Sequence, residues 1–100
     1  MIRVIDFYAD WCISCKEMEV NTFANPEVGN HLKQWVLLQA DVTANSLENQ
    51  ALLKRFGLYG PPAILIFNLN TQEQKDQRVI GYMAPQRFIE RLKQASTKSN

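Results

Sequence analysis

Apolar residues fall along the chain in short blocks whose spacing switches between that of strands and that of helices. Residues 2–9, IRVIDFYA, are rich in β-branched and aromatic side chains and apolar at both alternating sets of positions. That is the pattern of a strand covered on both faces, and it predicts a central strand. Residues 12–23 are good helix formers, and NPEVGNHLKQW opens on an Asn-Pro start signal for a second short helix. WVLLQADV reads as a strand. In residues 45–56, NSLENQALLKRF, Asn45 or Ser46 offers a cap, Leu47, Ala51, Leu52 and Phe56 run along one side, and Gly57 stops the helix. AILIF is another buried strand. Beyond the polar turn region NLNTQEQKDQ, the short strand RVIGY is expected to pair with it antiparallel. APQRFIERLKQA sets Phe88, Ile89 and Leu92 at helical spacing.

The resulting order, β-α-(α)-β-α-β-β-α, predicts an α/β sheet with helices on both faces. Helical crossovers are expected to leave the first three strands parallel and the last antiparallel. Residues 1–95 form one expected domain, and residues 96–100 are expected to be a frayed tail. Sheets of this kind carry reactive groups where a strand's carboxyl end turns into a helix. Cys12 occupies that place.

Composition narrows the chemistry. One hundred residues, 46% hydrophobic and 10% aromatic, suit a single ordinary core. Eleven basic and ten acidic side chains leave a formal net charge of +1, which offers no large field for nucleic acid or anionic lipid. The longest apolar stretches, GPPAILIF and WVLLQADV, fall far short of the roughly 20 residues that span a bilayer, so a soluble chain with no membrane insertion is expected. MIRVIDFYADWC enters a core-like strand at once and does not read as a signal peptide, leaving a cytosolic protein or an excised domain as the expectations.

The two cysteines, Cys12 and Cys15, stand two residues apart. A Cys-x-x-Cys pair serves zinc sites, iron-sulfur sites and redox enzymes alike. A structural zinc site needs four ligands, and His31 is the one further Cys or His in the chain. No metal or other cofactor is expected. A structural staple closing so short a loop would remove little unfolded-chain entropy. The spacing does put one cysteine at a helix start and the other a turn inside, close enough to bond, which favours a redox pair.

The flanking residues narrow this further. DFYADWCISC and YGPPAILIF resemble the Trp-Cys-x-x-Cys and Gly-x-Pro segments of the thioredoxin superfamily. YADWCxxCKxxExxTF, LLQADVTANSLENQALLKRF and GxxxPQRFIERL resemble the carboxy-terminal domain of the DsbD family of thiol:disulfide interchange proteins. The resemblance spans nearly the whole chain, without the extra amino-terminal strand of thioredoxin. It implies a thioredoxin-like fold with about four strands in the order 2-1-3-4, and a monomeric protein-disulfide reductase whose working group is the Cys12–Cys15 disulfide. It further implies Cys12 as nucleophile and Cys15 as resolving cysteine. The implied partners are protein thiols and disulfides, among them the amino-terminal and transmembrane domains of a DsbD-like protein, and the implied location is the periplasm. A free-standing thioredoxin-like reductase, which would be cytoplasmic, and a non-catalytic thioredoxin-fold module stay open.

Chemistry points the same way, since a helix start exposes Cys12 and favours its thiolate while Cys15 lies deeper. Asp6 interrupts an apolar strand, where an unpaired carboxylate is costly, and it matches the buried acid of thioredoxins. Glu19, seven residues after Cys12 and four after Cys15, is expected on the side of both sulfurs. Pro62 matches the superfamily's cis-proline, which presents backbone to a bound partner. Pro61, where relatives carry an apolar residue, has no N–H to donate to that partner. Ala63 replaces the usual threonine. Trp11 is expected to cover the active site, Tyr59 to line a docking surface, and Lys16 to be a solvated helix residue.

Overall fold

The computed structural model describes residues 2–97. Strand β1 (Arg3–Tyr8) leads through a short turn into helix α1 (Ile13–Glu17), which continues as a π-helical segment over Met18–Phe23. Helix α2 (Pro26–Leu32), strand β2 (Val36–Asp41) and helix α3 (Leu47–Arg55) follow. Strand β3 (Ala63–Phe67), a 3-10 turn at Lys75–Gln77, strand β4 (Val79–Ile80) and helix α4 (Pro85–Thr97) complete the fold. Residues 96 and 97, expected in the tail, lie in the last turn of α4; residues 98–100 lie outside the described residues.

Local chemistry sets these boundaries. Asn25 caps α2, its Oδ1 accepting from the N–H groups of Glu27 and Val28, with Pro26 in the first helical position. Ser46 caps α3 in a capping box: its hydroxyl accepts from Asn49 N–H, and Asn49 Oδ1 accepts from Ser46 N–H. Gly57, at φ +70°, ends that helix in a conformation suited to glycine. The buried side of α3 differs from the expected one. Leu47 and Ala51 are exposed, whereas Leu53 is buried and Leu52 and Phe56 are half-buried. The true stripe runs Asn49, Leu52, Leu53, Phe56, and its first position is polar because Asn49 serves the cap.

The four strands form one mixed sheet in the order β2-β1-β3-β4. β1 is parallel to β2, with Asp6 opposite Gln39, and β4 is antiparallel to β3. β3 is antiparallel to β1, pairing Ala63 with Phe7 and Phe67 with Arg3, which corrects the expectation of three parallel strands. A crossover yields a parallel neighbour when its helix delivers the chain to the opposite end of the sheet. Here the Gly57 turn and residues 58–62 bring it back, so β3 begins beside the end of β1.

Strand alternation sorts the core into two layers. Val4, Ile64 and Ile66 pack with Met18, Val28, Leu32, Phe88, Ile89 and Leu92 beneath α2, α4 and the π-helical segment. Phe7, Ala63, Leu65 and Val42 pack with Leu53 on the α3 side, in a layer that also holds Cys12 and Cys15. Edge-to-face ring pairs join each layer to its helices, Phe23 with Phe88 at 5.6 Å and Phe7 with Phe56 at 5.9 Å. Such pairs add about 0.5–1.5 kcal/mol each beyond area burial. The cysteines are packed into the second of these layers, at the carboxyl end of β1.

Candidate active site

Cys12 ends the turn that leaves β1. Its N–H donates to Ala9 O at 3.1 Å, and its Sγ caps α1 by accepting the Cys15 N–H at 3.1 Å. One helical turn separates the two cysteines, whose Cα atoms are 5.2 Å apart and whose sulfurs are bonded to each other. Cys12 was expected to be exposed; it is 7% exposed and Cys15 3%. Both pack against the Phe7, Val42 and Leu53 layer, so only a small window onto Cys12 opens to solvent.

Asp6 lies two residues before the end of β1 and is partly buried. Burial pushes its carboxyl up to about 6, a hydrogen bond from the Gln39 side chain opposes the rise, and the charge of Glu19 adds to it. Glu19 is exposed on the π-helical segment, yet near enough to act on both Asp6 and Lys16. The two expected acids thus share one electrostatic neighbourhood.

The Pro61–Pro62 bond is cis and sits directly before Ala63, which packs in the cysteine layer. The Pro62 carbonyl already accepts from Gly81 N–H at 3.1 Å, and neither proline has an N–H. Few backbone groups remain in this segment for strand-like pairing with a partner. Trp11 is 58% exposed beside Cys12, its Nε1–H donating to Thr43 O at 2.9 Å. Tyr59 is fully exposed. Exposed Ile13 extends the apolar surface around the cysteine window.

Three features escaped the sequence reading. Lys16 is more than a solvated residue: its Nζ donates to the Tyr8 hydroxyl at 2.6 Å, and that hydroxyl donates to Asp10 Oδ1 at 2.8 Å. The bond to Tyr8 raises the Lys16 pKa. Thr43 fastens the loop before Cys12, its Oγ1 accepting from Asp10 N–H at 2.9 Å while its carbonyl holds Trp11. Asp41 in turn accepts from Thr43 N–H and from its hydroxyl, which lowers the Asp41 pKa. Gln39 is the third, placed opposite Asp6 by strand register. The Lys16 spacing of four residues from Cys12 was a usable signal; Thr43 and Gln39 needed the β1–β2 register.

The arrangement suits thiol-disulfide exchange, with two sulfurs able to bond, one nearer the surface, and a carboxyl of raised pKa on the strand that leads to them. Among the described residues, no group of three or more His, Cys, Asp and Glu side chains is placed to hold a metal ion. No helix among them is long and apolar enough to cross a membrane.

Residues 4–68 match the model of a family described as thioredoxin-like. The chain is 49% identical over 90 residues to the thiol:disulfide interchange protein DsbD of Klebsiella pneumoniae, a match covering 90% of this chain and 15% of that protein. The crystal structure of the Neisseria meningitidis DsbD c-terminal domain in the reduced form superposes with a TM-score of 0.83 at 42% identity, covering 94% of this chain and 80% of that one. A thioredoxin from Thermus thermophilus gives a TM-score of 0.84 at 21% identity, covering 99% and 76% of the two chains, a likeness of fold.

Proposed function

The chain belongs to the thioredoxin-like family, among the carboxy-terminal domains of DsbD, and from that premise we propose that it is a thiol-disulfide reductase domain working through Cys12 and Cys15. The observation that carries this reading is the bonded cysteine pair at the exit of β1, with Cys12 at the helix start and Cys15 a turn deeper. In the dithiol form the Cys12 thiolate attacks one sulfur of a partner disulfide, forming a mixed disulfide and expelling the other partner sulfur as a thiolate. Cys15 then attacks the Cys12 sulfur. This re-forms the Cys12–Cys15 bond and releases the second partner sulfur, so two electrons and two protons have passed to the partner.

In this reading Asp6, whose pKa burial raises, takes up the Cys15 proton as that thiol becomes the attacking group. Trp11, Ile13, Tyr59 and the Pro61–Pro62 segment form the surface that receives the partner. On the DsbD resemblance, electrons arrive from the transmembrane domain of the same longer protein and leave to its amino-terminal domain, and this domain faces the periplasm. The test is reduction of an oxidised protein substrate by the dithiol form, compared with Cys12→Ala. Loss of turnover in the variant is expected. Equal turnover would favour a non-catalytic module with incidental cysteines.

A further inference from the structure

Tyr8 is buried, at 7% exposed, in the layer that holds Cys12 and Cys15, so its ring has one place to be. Its hydroxyl stands between two exposed charged groups, accepting from Lys16 Nζ at 2.6 Å and donating to Asp10 Oδ1 at 2.8 Å. Lys16 Nζ is also 3.8 Å from Asp10 Oδ1 and 5.2 Å from the centre of the Tyr8 ring. Three contacts thus converge on one ammonium, on an element that the sequence marks only as helix surface.

Lys16 is the one basic residue in residues 12–23. It follows Cys12 by one helical turn, with its N–H on Cys12 O at 3.2 Å. Helical side chains lean toward the amino end, so an unrestrained lysine at this position reaches back over the residue four before it. A cation there would favour the Cys12 thiolate. The elements that carry the pair also hold Asp6 on β1, Asp10 in the turn, Glu17 at the end of α1 and Glu19 on the π-helical segment, and a carboxylate brought near the sulfur acts the opposite way.

We propose that the Tyr8 hydroxyl is a positioning group that holds the Lys16 ammonium against Asp10 and away from the Cys12 sulfur, keeping Cys12 a weaker acid than a free lysine beside it would allow. The proposal rests on the exchange chemistry assigned to Cys12 and adds a determinant of its reactivity. Because its bond to Tyr8 favours the ammonium form, Lys16 stays charged throughout the range in which a thiol titrates.

The experiment follows the rate of Cys12 alkylation by iodoacetamide against pH in the full chain, with Cys15→Ser to isolate one thiol. The variants are Tyr8→Phe, Lys16→Met and both together. Tyr8→Phe is expected to lower the Cys12 apparent pKa by about half to one unit, speeding alkylation near neutral pH about three- to tenfold. With Lys16→Met also present, that acceleration disappears. An unchanged or raised value in Tyr8→Phe overturns the proposal, as does an acceleration that survives loss of Lys16. Should Tyr8→Phe fail to fold, Asp10→Asn releases Lys16 from its other partner, and its effect must shrink in the Lys16→Met background or the proposal falls. No partner protein enters the alkylation series. It therefore stays decisive even if the wild type fails to reduce a protein disulfide, which is the outcome that sinks the functional reading alone.

Discussion

Asp6 and Gln39 face each other across the parallel strands β1 and β2, and the Gln39 side chain hydrogen-bonds to the Asp6 carboxyl. One amide offsets part of the burial cost but not all of it, so the acid keeps a proton well above the range of a solvated aspartate.

That imbalance makes stability fall as pH rises. Asp6 moves from 3.8 when unfolded to about 6 when folded, so between these values the native state binds more protons than the unfolded chain. Stability from this group is intact below about 3.8 and is lost progressively as pH climbs through about 6. The full loss is on the order of 2–3 kcal/mol. Urea unfolding of the oxidised protein from pH 4 to pH 7.5 should show the decline. Asp6→Asn should flatten it and be the more stable protein at the upper end.

Asp6 and Glu19 are expected to act together on the nucleophile. A carboxylate near a thiol disfavours the thiolate, so Asp6→Asn and Glu19→Gln should each lower the Cys12 apparent pKa, and the double variant should lower it furthest. Shifts of about one unit are the expected scale for close charges. Since interacting sites titrate as a set, the values belong to the group and the pH-dependence of alkylation is the observable to fit. A rise in Asp6→Asn would leave Asp6 a structural role only.

Cys12 should be the sulfur that meets the partner. After mixing with an oxidised protein, Cys15→Ser should accumulate a mixed disulfide visible as an added mass, while Cys12→Ser should not. Capture through Cys15 would reverse the two roles.

Thr43→Val should loosen the turn that carries Trp11. The change removes the acceptor for Asp10 N–H and the hydroxyl donor to Asp41. Because the site is exposed, the cost in stability should be near 1 kcal/mol. The larger effect should appear in Trp11 emission and in the KM for a protein disulfide, with Thr43→Ser close to wild type. A Thr43→Val protein with unaltered emission would show that the Trp11 Nε1 bond to the backbone suffices alone.

Much of this was legible in the chain because local signals agreed with the final packing. The Ser46 and Asn25 caps, the Gly57 stop and the unbroken apolar run AILIF each carry their own boundary. The direction of β3 was not legible, because the five loop residues after Gly57 decide which end of the sheet the strand enters and no periodicity records that. Asn49 hid the buried side of α3 by serving the cap from a core-facing position. The partners of Asp6 and Trp11 were also out of reach, since Gln39 and Thr43 become neighbours only through the β1–β2 register. Tyr8 read as one more strand aromatic, and its hydroxyl acquires meaning only with Lys16 and Asp10 beside it.

The π-helical segment has a consequence of phase. Ala24 N–H bonds back five residues to Glu19 O, so the helix holds one residue more in that turn than an α-helix would. Near its end the buried Thr22 donates to Met83 O at 2.6 Å, and at its start Met18 Sδ accepts from Met83 N–H at 3.2 Å. The start and the end of the segment therefore grip the same residue of the loop before α4. Deleting a single residue between 18 and 23 would rotate the two halves by about 100° relative to each other. Either Thr22 would swing off Met83 or the cysteines would turn away from the sheet end, and an insertion would do the same in the opposite sense. The aim of the redox pair is thus fixed by an integer, the number of residues in one turn, which makes this the segment where a change of length should be tolerated least.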